Sequence, residues 1–133
     1  MNRLAHAGAA ALATTAIALC SLAPAAAVAD PIRVMQCFVI PPAALSHKSK
    51  GTQIDYVNKS RKTAVSVTFA VGYRNSLHNF LRRVTDVGEF APAAEIRHAF
   101  PLYSDVTYAG KATHGCAAIA VHFKDGTVWH AAL

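Results

Sequence analysis

Between Thr63 and Tyr73 the chain alternates. Val65, Val67, Phe69, Val71 and Tyr73 fall on one side of an extended backbone, and Ala64, Ser66, Thr68, Ala70 and Gly72 on the other. A period of two held for about ten residues predicts a strand with one buried face and one half-exposed face, as in the middle of an antiparallel sheet. The same grammar recurs on both sides. Ile32 to Ile40 is rich in β-formers and stops at Pro41-Pro42. Ala43 to Gly51 is a polar loop, Thr52 to Val57 a short strand with Ile54 and Tyr56 on one face, and Asn58 to Lys62 a turn cluster. Phe80 to Val87, bearing Arg82, Arg83, Thr85 and Asp86, predicts an edge strand that ends at Gly88-Glu89-Phe90-Ala91-Pro92. Glu95 to Phe100 alternates through Ile96, His98 and Phe100, and Pro101 to His114 is a long irregular connection.

A hairpin closes the chain, with arms Cys116 to Phe123 and Thr127 to Leu133. A two-residue turn at Asp125-Gly126 would set His122 opposite Trp129. A type I turn over Lys124-Asp125-Gly126, with Gly126 left-handed, sets Phe123 opposite Thr127 and Val121 opposite Trp129. The second register gathers Ile119, Val121, Phe123 and Trp129 on one face and is the one expected. It gives Cys116 outward parity, so a bulge or strand break near Gly115 is required if that sulfur is to be buried. About seven short strands with regular turn signals predict an all-β fold, an immunoglobulin-like antiparallel β-sandwich. No helix is expected beyond an N-terminal signal helix.

That N-terminal stretch changes the picture most. Met1-Asn2-Arg3 gives a positive start, Ala7 to Ala29 carries no charge, and the run ends in Ala27-Val28-Ala29. Small residues at the first and third positions before the cut suit a signal peptidase, so cleavage is expected after Ala29. The expected division is a signal peptide over residues 1–29 and one β-sandwich domain over residues 30–133, periplasmic or secreted. An uncharged run of this length also reaches across a membrane. It is Ala-rich, however, contains Pro24 and ends in a cleavage site. Lipidation at Cys20 would need a small residue before it, where Leu19 stands. No stable membrane span is expected after cleavage.

Of the three cysteines, Cys37 and Cys116 remain after the cut. An even count in an oxidising compartment predicts one disulfide, closing a loop of about 80 residues and worth roughly 4 kcal/mol in the chain-entropy model. Removing Arg3 leaves 12 Lys and Arg against 7 Asp and Glu, a balance of +5. That charge suits attraction to anionic surfaces. It is not the dense basic stripe of a nucleic-acid binder, and no nucleic-acid partner is expected.

Tyr56-Val57-Asn58-Lys59-Ser60 leading into the long alternating strand, Gly88-Glu89-Phe90-Ala91-Pro92, and Asp125-Gly126-Thr127-Val128-Trp129 give the chain a family look. Over Thr52 to Leu133 it resembles small exported bacterial proteins of unknown function with a predicted immunoglobulin-like sandwich. The resemblance implies the fold and carries over no catalytic or binding residue.

The chain holds no Gly-x-Ser-x-Gly and no Gly-rich phosphate loop, and its acidic residues are scattered. No catalytic residue and no cofactor are therefore nominated, and the protein is expected not to be an enzyme. Six histidines survive the cut: His47, His78, His98, His114, His122 and His130. Imidazole ligates zinc and copper, so a periplasmic metal-binding protein using His98, His122 or His130 is the alternative reading. Glu95 and His98 have a helix-type ligand spacing but lie on a strand, pointing to opposite faces. His122 and His130 share a face, yet two ligands without a third make a poor site. Asn58-Lys59-Ser60 fits a glycosylation sequon and equally a turn in which the Asn bonds its own backbone. Lys48, Lys50, Lys59, Arg61 and Lys62 sit in two loops expected to lie close together and to meet an anionic lipid, glycan or polymer. Arg82 and Arg83 protect an edge strand. Tyr103 and Tyr108 form either a contact patch on the long loop or part of the core rim. The leading expectation is an exported, non-enzymatic binding domain for an unidentified protein, glycan or anionic surface ligand. A further alternative is an inhibitor of an extracellular hydrolase, acting through the Pro101–His114 loop.

Overall fold

The computed structural model describes residues 29–76, 79–110 and 115–132. The expected leader before Ala29, together with His78 and His114, lies outside them. The described residues form only strands: β1 (Ile32–Val39), β2 (Thr52–Asn58), β3 (Ala64–Arg74), β4 (Asn79–Phe90), β5 (Glu95–Phe100), β6 (Cys116–Phe123) and β7 (Val128–His130). They make two antiparallel sheets, one ordered β1-β2-β5 and the other β4-β3-β6-β7.

The alternation of β3 does what its pattern dictates. Val67, Phe69, Val71 and Tyr73 are fully buried. The first step departs from the pattern. The register shifts between Ala64 and Ser66, so Ala64 is buried and Val65 only half-buried. Across the core, Tyr56 of β2 meets Phe69 edge-on at 4.9 Å and Phe90 at 5.8 Å. The edge strand β4 does not stop at Gly88. It runs on to Phe90, which pairs with Ala64 and lays its ring over Gly88, where a Cβ would come within 3.0 Å of it.

The hairpin adopts the register that buries the apolar set. Val121 stands opposite Trp129, Phe123 N donates to Thr127 O at 2.9 Å, and Gly126 sits at φ 85°. The bulge that Cys116 requires is present, but farther along than Gly115. Thr68 pairs with Ala120 and Phe69 with Ala118, so Ile119 bulges out. Ile119 is therefore half-exposed and Ala118 takes the buried place. With the parity thus switched, Cys116 turns inward to bond Cys37, their Cα atoms 6.2 Å apart.

The two ends of the sandwich differ. At one end the loops 40–51 and 101–110 pack on each other. Tyr103 is fully buried and its hydroxyl donates to the Val71 carbonyl. Lys48 bridges Thr107, and Ser49 Oγ donates to Tyr103 O at 2.6 Å. Arg82 lies over the Phe80 and Tyr103 rings at 5.2 and 5.1 Å and grips Asp105 through two hydrogen bonds of 2.6 and 3.1 Å. At the other end are the short turns 59–63, 91–94 and 124–127.

Candidate functional site

Two flanks join the sheets, and both carry chemistry. At the first, the edge strands β4 and β5 face each other. Inward positions on β4 run Phe80, Arg82, Val84, Asp86, and on β5 Ile96, His98, Phe100. Asp86 is 3% exposed. Its Oδ2 accepts from the Tyr56 hydroxyl at 2.8 Å, and its Oδ1 lies 2.9 Å from His98 Nδ1. A buried carboxylate needs such partners to offset its lost hydration. Burial first, and then the Asp86 carboxylate, hold the Tyr56 hydroxyl protonated far above the usual phenol range. His98 stacks on Phe100 at 4.2 Å, and 49% of its side chain is exposed. Three strands from both sheets are stitched here. The alternation put His98 on one face with Ile96 and Phe100, but Asp86 read only as one scattered acid. The available signal was its place at an inward position of a strand.

The other histidines do not assemble. His122 and His130 are exposed on the outer face of the β6–β7 hairpin, diagonal to each other, and His47 is on the opposite end. Among the described residues no three His, Cys, Asp or Glu come together as a metal group. Asn58 is fully buried in its turn. Its Oδ1 accepts from Ser60 N at 3.0 Å, and its Nδ2 donates to Lys62 O and Phe90 O at 2.8 and 2.9 Å. The sequon asparagine is thus a turn and core residue. Tyr103 is likewise core, not a contact patch, and Tyr108 is half-buried against that core.

The second flank, between β1 and β7, is open. A cleft of about 810 Å³ lies there, at the end of the short turns. Its floor is Phe123 and Trp129. One wall is residues 29–31, the other the turn bearing Lys59, Arg61 and Lys62, and β7 closes it through Val128 and His130. Lys62 is committed: its Nζ is 2.9 Å from Asp125 Oδ2 and from Thr127 Oγ1, and 5.6 Å over the Phe123 ring. Thr127 and Lys62 hold the Asp125 carboxyl well below the usual carboxylate range. Lys59 and Arg61 are exposed and make no ion pair among the described residues. Asp30, the one acid in the lining, caps the start of β1 by accepting from Ile32 N at 2.9 Å.

The two basic loops do not meet. Lys48 and Lys50 are at the end packed by residues 101–110, and Lys59, Arg61 and Lys62 are at the other. The seven residues of β2 separate them, a span of roughly 20 Å at strand rise. Among the described residues, the second group has the aromatic rings Phe123 and Trp129 beside it. The cleft itself was not legible. It is formed by the start of the domain and the closing hairpin, which lie far apart in the chain and meet only through the fold.

No known protein family, curated protein or solved structure matches the chain.

Proposed function

We propose that the protein is an exported, non-enzymatic binding domain that takes an anionic ligand in the cleft between β1 and β7. The observation carrying this reading is the cleft itself: two aromatic rings, Phe123 and Trp129, under a rim with two uncommitted cations, Lys59 and Arg61. Its volume falls in the range of small-ligand pockets. An apolar floor with a few charges at the rim binds by area and orients by charge.

The fold reading goes with it. Lettered in the immunoglobulin scheme, the strands are A, B, C, C′, E, F and G, giving sheets A-B-E and C′-C-F-G. Two features differ from antibody domains. The bridge runs from the first strand to the sixth, and the tryptophan lies on the last strand. Export is supported by the leader pattern and by the disulfide, which is compatible with an oxidising compartment. Cleavage after Ala29 would take that residue from the cleft wall and leave the α-ammonium of Asp30 there, a further positive charge.

Trp129 is the only tryptophan in the chain, so the site reports on itself. Titrating the exported protein with poly-glutamate and with dextran sulfate should shift Trp129 fluorescence saturably, and neutral dextran should not. Affinity should fall with salt. Lys59→Glu/Arg61→Glu should weaken it by about tenfold or more, as loss and reversal of two rim charges demand. A flat response to both polyanions, or an unchanged response in the double variant, overturns the reading.

A further inference from the structure

The lip of the cleft is a sheet edge, and this deepens the proposed function. Along the hairpin, Phe123 N donates to Thr127 O and Ala131 N to Ile119 O, both inside the β6–β7 ladder. Antiparallel pairs alternate between bonded and non-bonded, so Thr127, Trp129 and Ala131 turn their backbone groups toward β6. Val128 and His130 stand opposite His122 and Ala120 in the non-bonded pairs. Their N–H and C=O groups therefore point away from β6. β7 ends its sheet, with no described strand on that side. Both residues line the cleft.

We propose, building on the cleft reading, that the ligand is an extended acidic polypeptide segment that pairs with the free edge of β7. An added strand gains main-chain hydrogen bonds from Val128 and His130, spaced about 6.7 Å apart as alternate strand residues are. Its side chains then alternate. One set faces Phe123 and Trp129 beside Lys59 and Arg61, and the other faces the outer surface with His122 and His130. The first set selects apolar and acidic side chains. The rim also decides against a second copy of this chain, which keeps a balance of +5 once Arg3 leaves with the leader. A symmetric pairing of two β7 edges would bring Lys59 and Arg61 toward their own counterparts. A sulfated polysaccharide satisfies the cations but leaves the strand edge unpaired.

The probe is a capped heptapeptide, Glu-Thr-Val-Thr-Glu-Thr-Val, which sets Glu and Val together on one face of an extended strand, followed by Trp129 fluorescence. N-methylation on one alternate set of its nitrogens should weaken binding by about tenfold, the order of a lost hydrogen bond, while the other set is tolerated. His130→Pro removes an outward N–H at an edge position where proline is accommodated. It should weaken peptide binding by at least about tenfold more than it weakens the dextran sulfate response. Binding of dextran sulfate without the peptide, or peptide binding indifferent to both methylated forms, overturns the strand-pairing inference while the anionic cleft stands. Silence toward every probe overturns both.

Discussion

The two flanks of the sandwich solve one problem in opposite ways. At the β4–β5 flank the sheets are closed by polar contacts: Asp86 is buried and held by Tyr56 and His98 from the facing sheet. At the β1–β7 flank the sheets part around a cleft, and the tie is covalent, set back toward the other end at Cys37–Cys116. The short β7, three residues long, leaves Trp129 partly exposed there, with Phe123 buried at the cleft's floor. A covalent tie tolerates an opening beside it, because it needs no surrounding packing to hold. A hydrogen-bonded carboxylate does not, since its partners act at full strength only when water is excluded. The closed flank is thus held by packing and hydrogen bonds, and the open one leaves a cleft.

The largest test of this contrast removes the covalent tie. Cys37→Ser/Cys116→Ser should lower stability by about 2–5 kcal/mol in urea unfolding, the usual loss for a small secreted domain. Two reactive thiols per chain in unfolded, unreduced protein purified from cells would show that the tie is not made there. The next test opens the closed flank. Asp86→Ala strands the buried Tyr56 hydroxyl without an acceptor and should cost about 2–3 kcal/mol. His98→Ala should cost less, because His98 is half-exposed and Asp86 keeps Tyr56. A cost for Asp86→Ala no greater than that for His98→Ala would mean the flank is held by packing alone.

How far the sequence reached follows from the physics of each feature. Strand positions were legible because each depends on a local period: the buried face of β3 from Val67 to Tyr73, and the alternation Ile96, His98, Phe100. The hairpin register was legible because a wrong one exposes Val121 and Trp129 together. Parity also exposed the conflict at Cys116. Where the chain resolves it, at Ile119, is set by pairing with β3, which no local pattern encodes. Asp86 was missed for the same reason, since its partners come from β2 and β5. The supposed nearness of the two basic loops failed because loop adjacency depends on which end of a strand each leaves, and β2 carries them to opposite ends.

A smaller effect is expected at the base of the open flank. Gly126 sits at φ 85° with nothing within 4 Å of a would-be Cβ, so space is not the constraint there. Conformation is. Gly126→Val should cost more than about 1 kcal/mol, because a β-branched residue resists positive φ. Gly126→Asn, which tolerates that region, should recover much of the loss. Equal costs for the two variants would show that the turn does not depend on the left-handed position, and that β7 is placed by Trp129 packing instead.

The smallest expected effect bears most directly on what the open flank is for. Lys59 and Arg61 are exposed, enter no ion pair among the described residues, and sit at a mouth lined by Trp129 and Phe123. If the rim served the fold, removing it would be felt in stability. If it serves a ligand, Lys59→Ala and Arg61→Ala should each leave unfolding free energy within about 0.5 kcal/mol of the parent, and relief of like-charge repulsion pushes the sign toward slight stabilisation. Lys62→Ala is the internal control. Its Nζ bonds Asp125 and Thr127, and Asp125 Oδ1 in turn accepts from Thr127 N and Oγ1, so that loss should register in the turn. Lys59→Ala and Arg61→Ala as costly as Lys62→Ala would make the whole rim structural and remove the distinction between the two flanks.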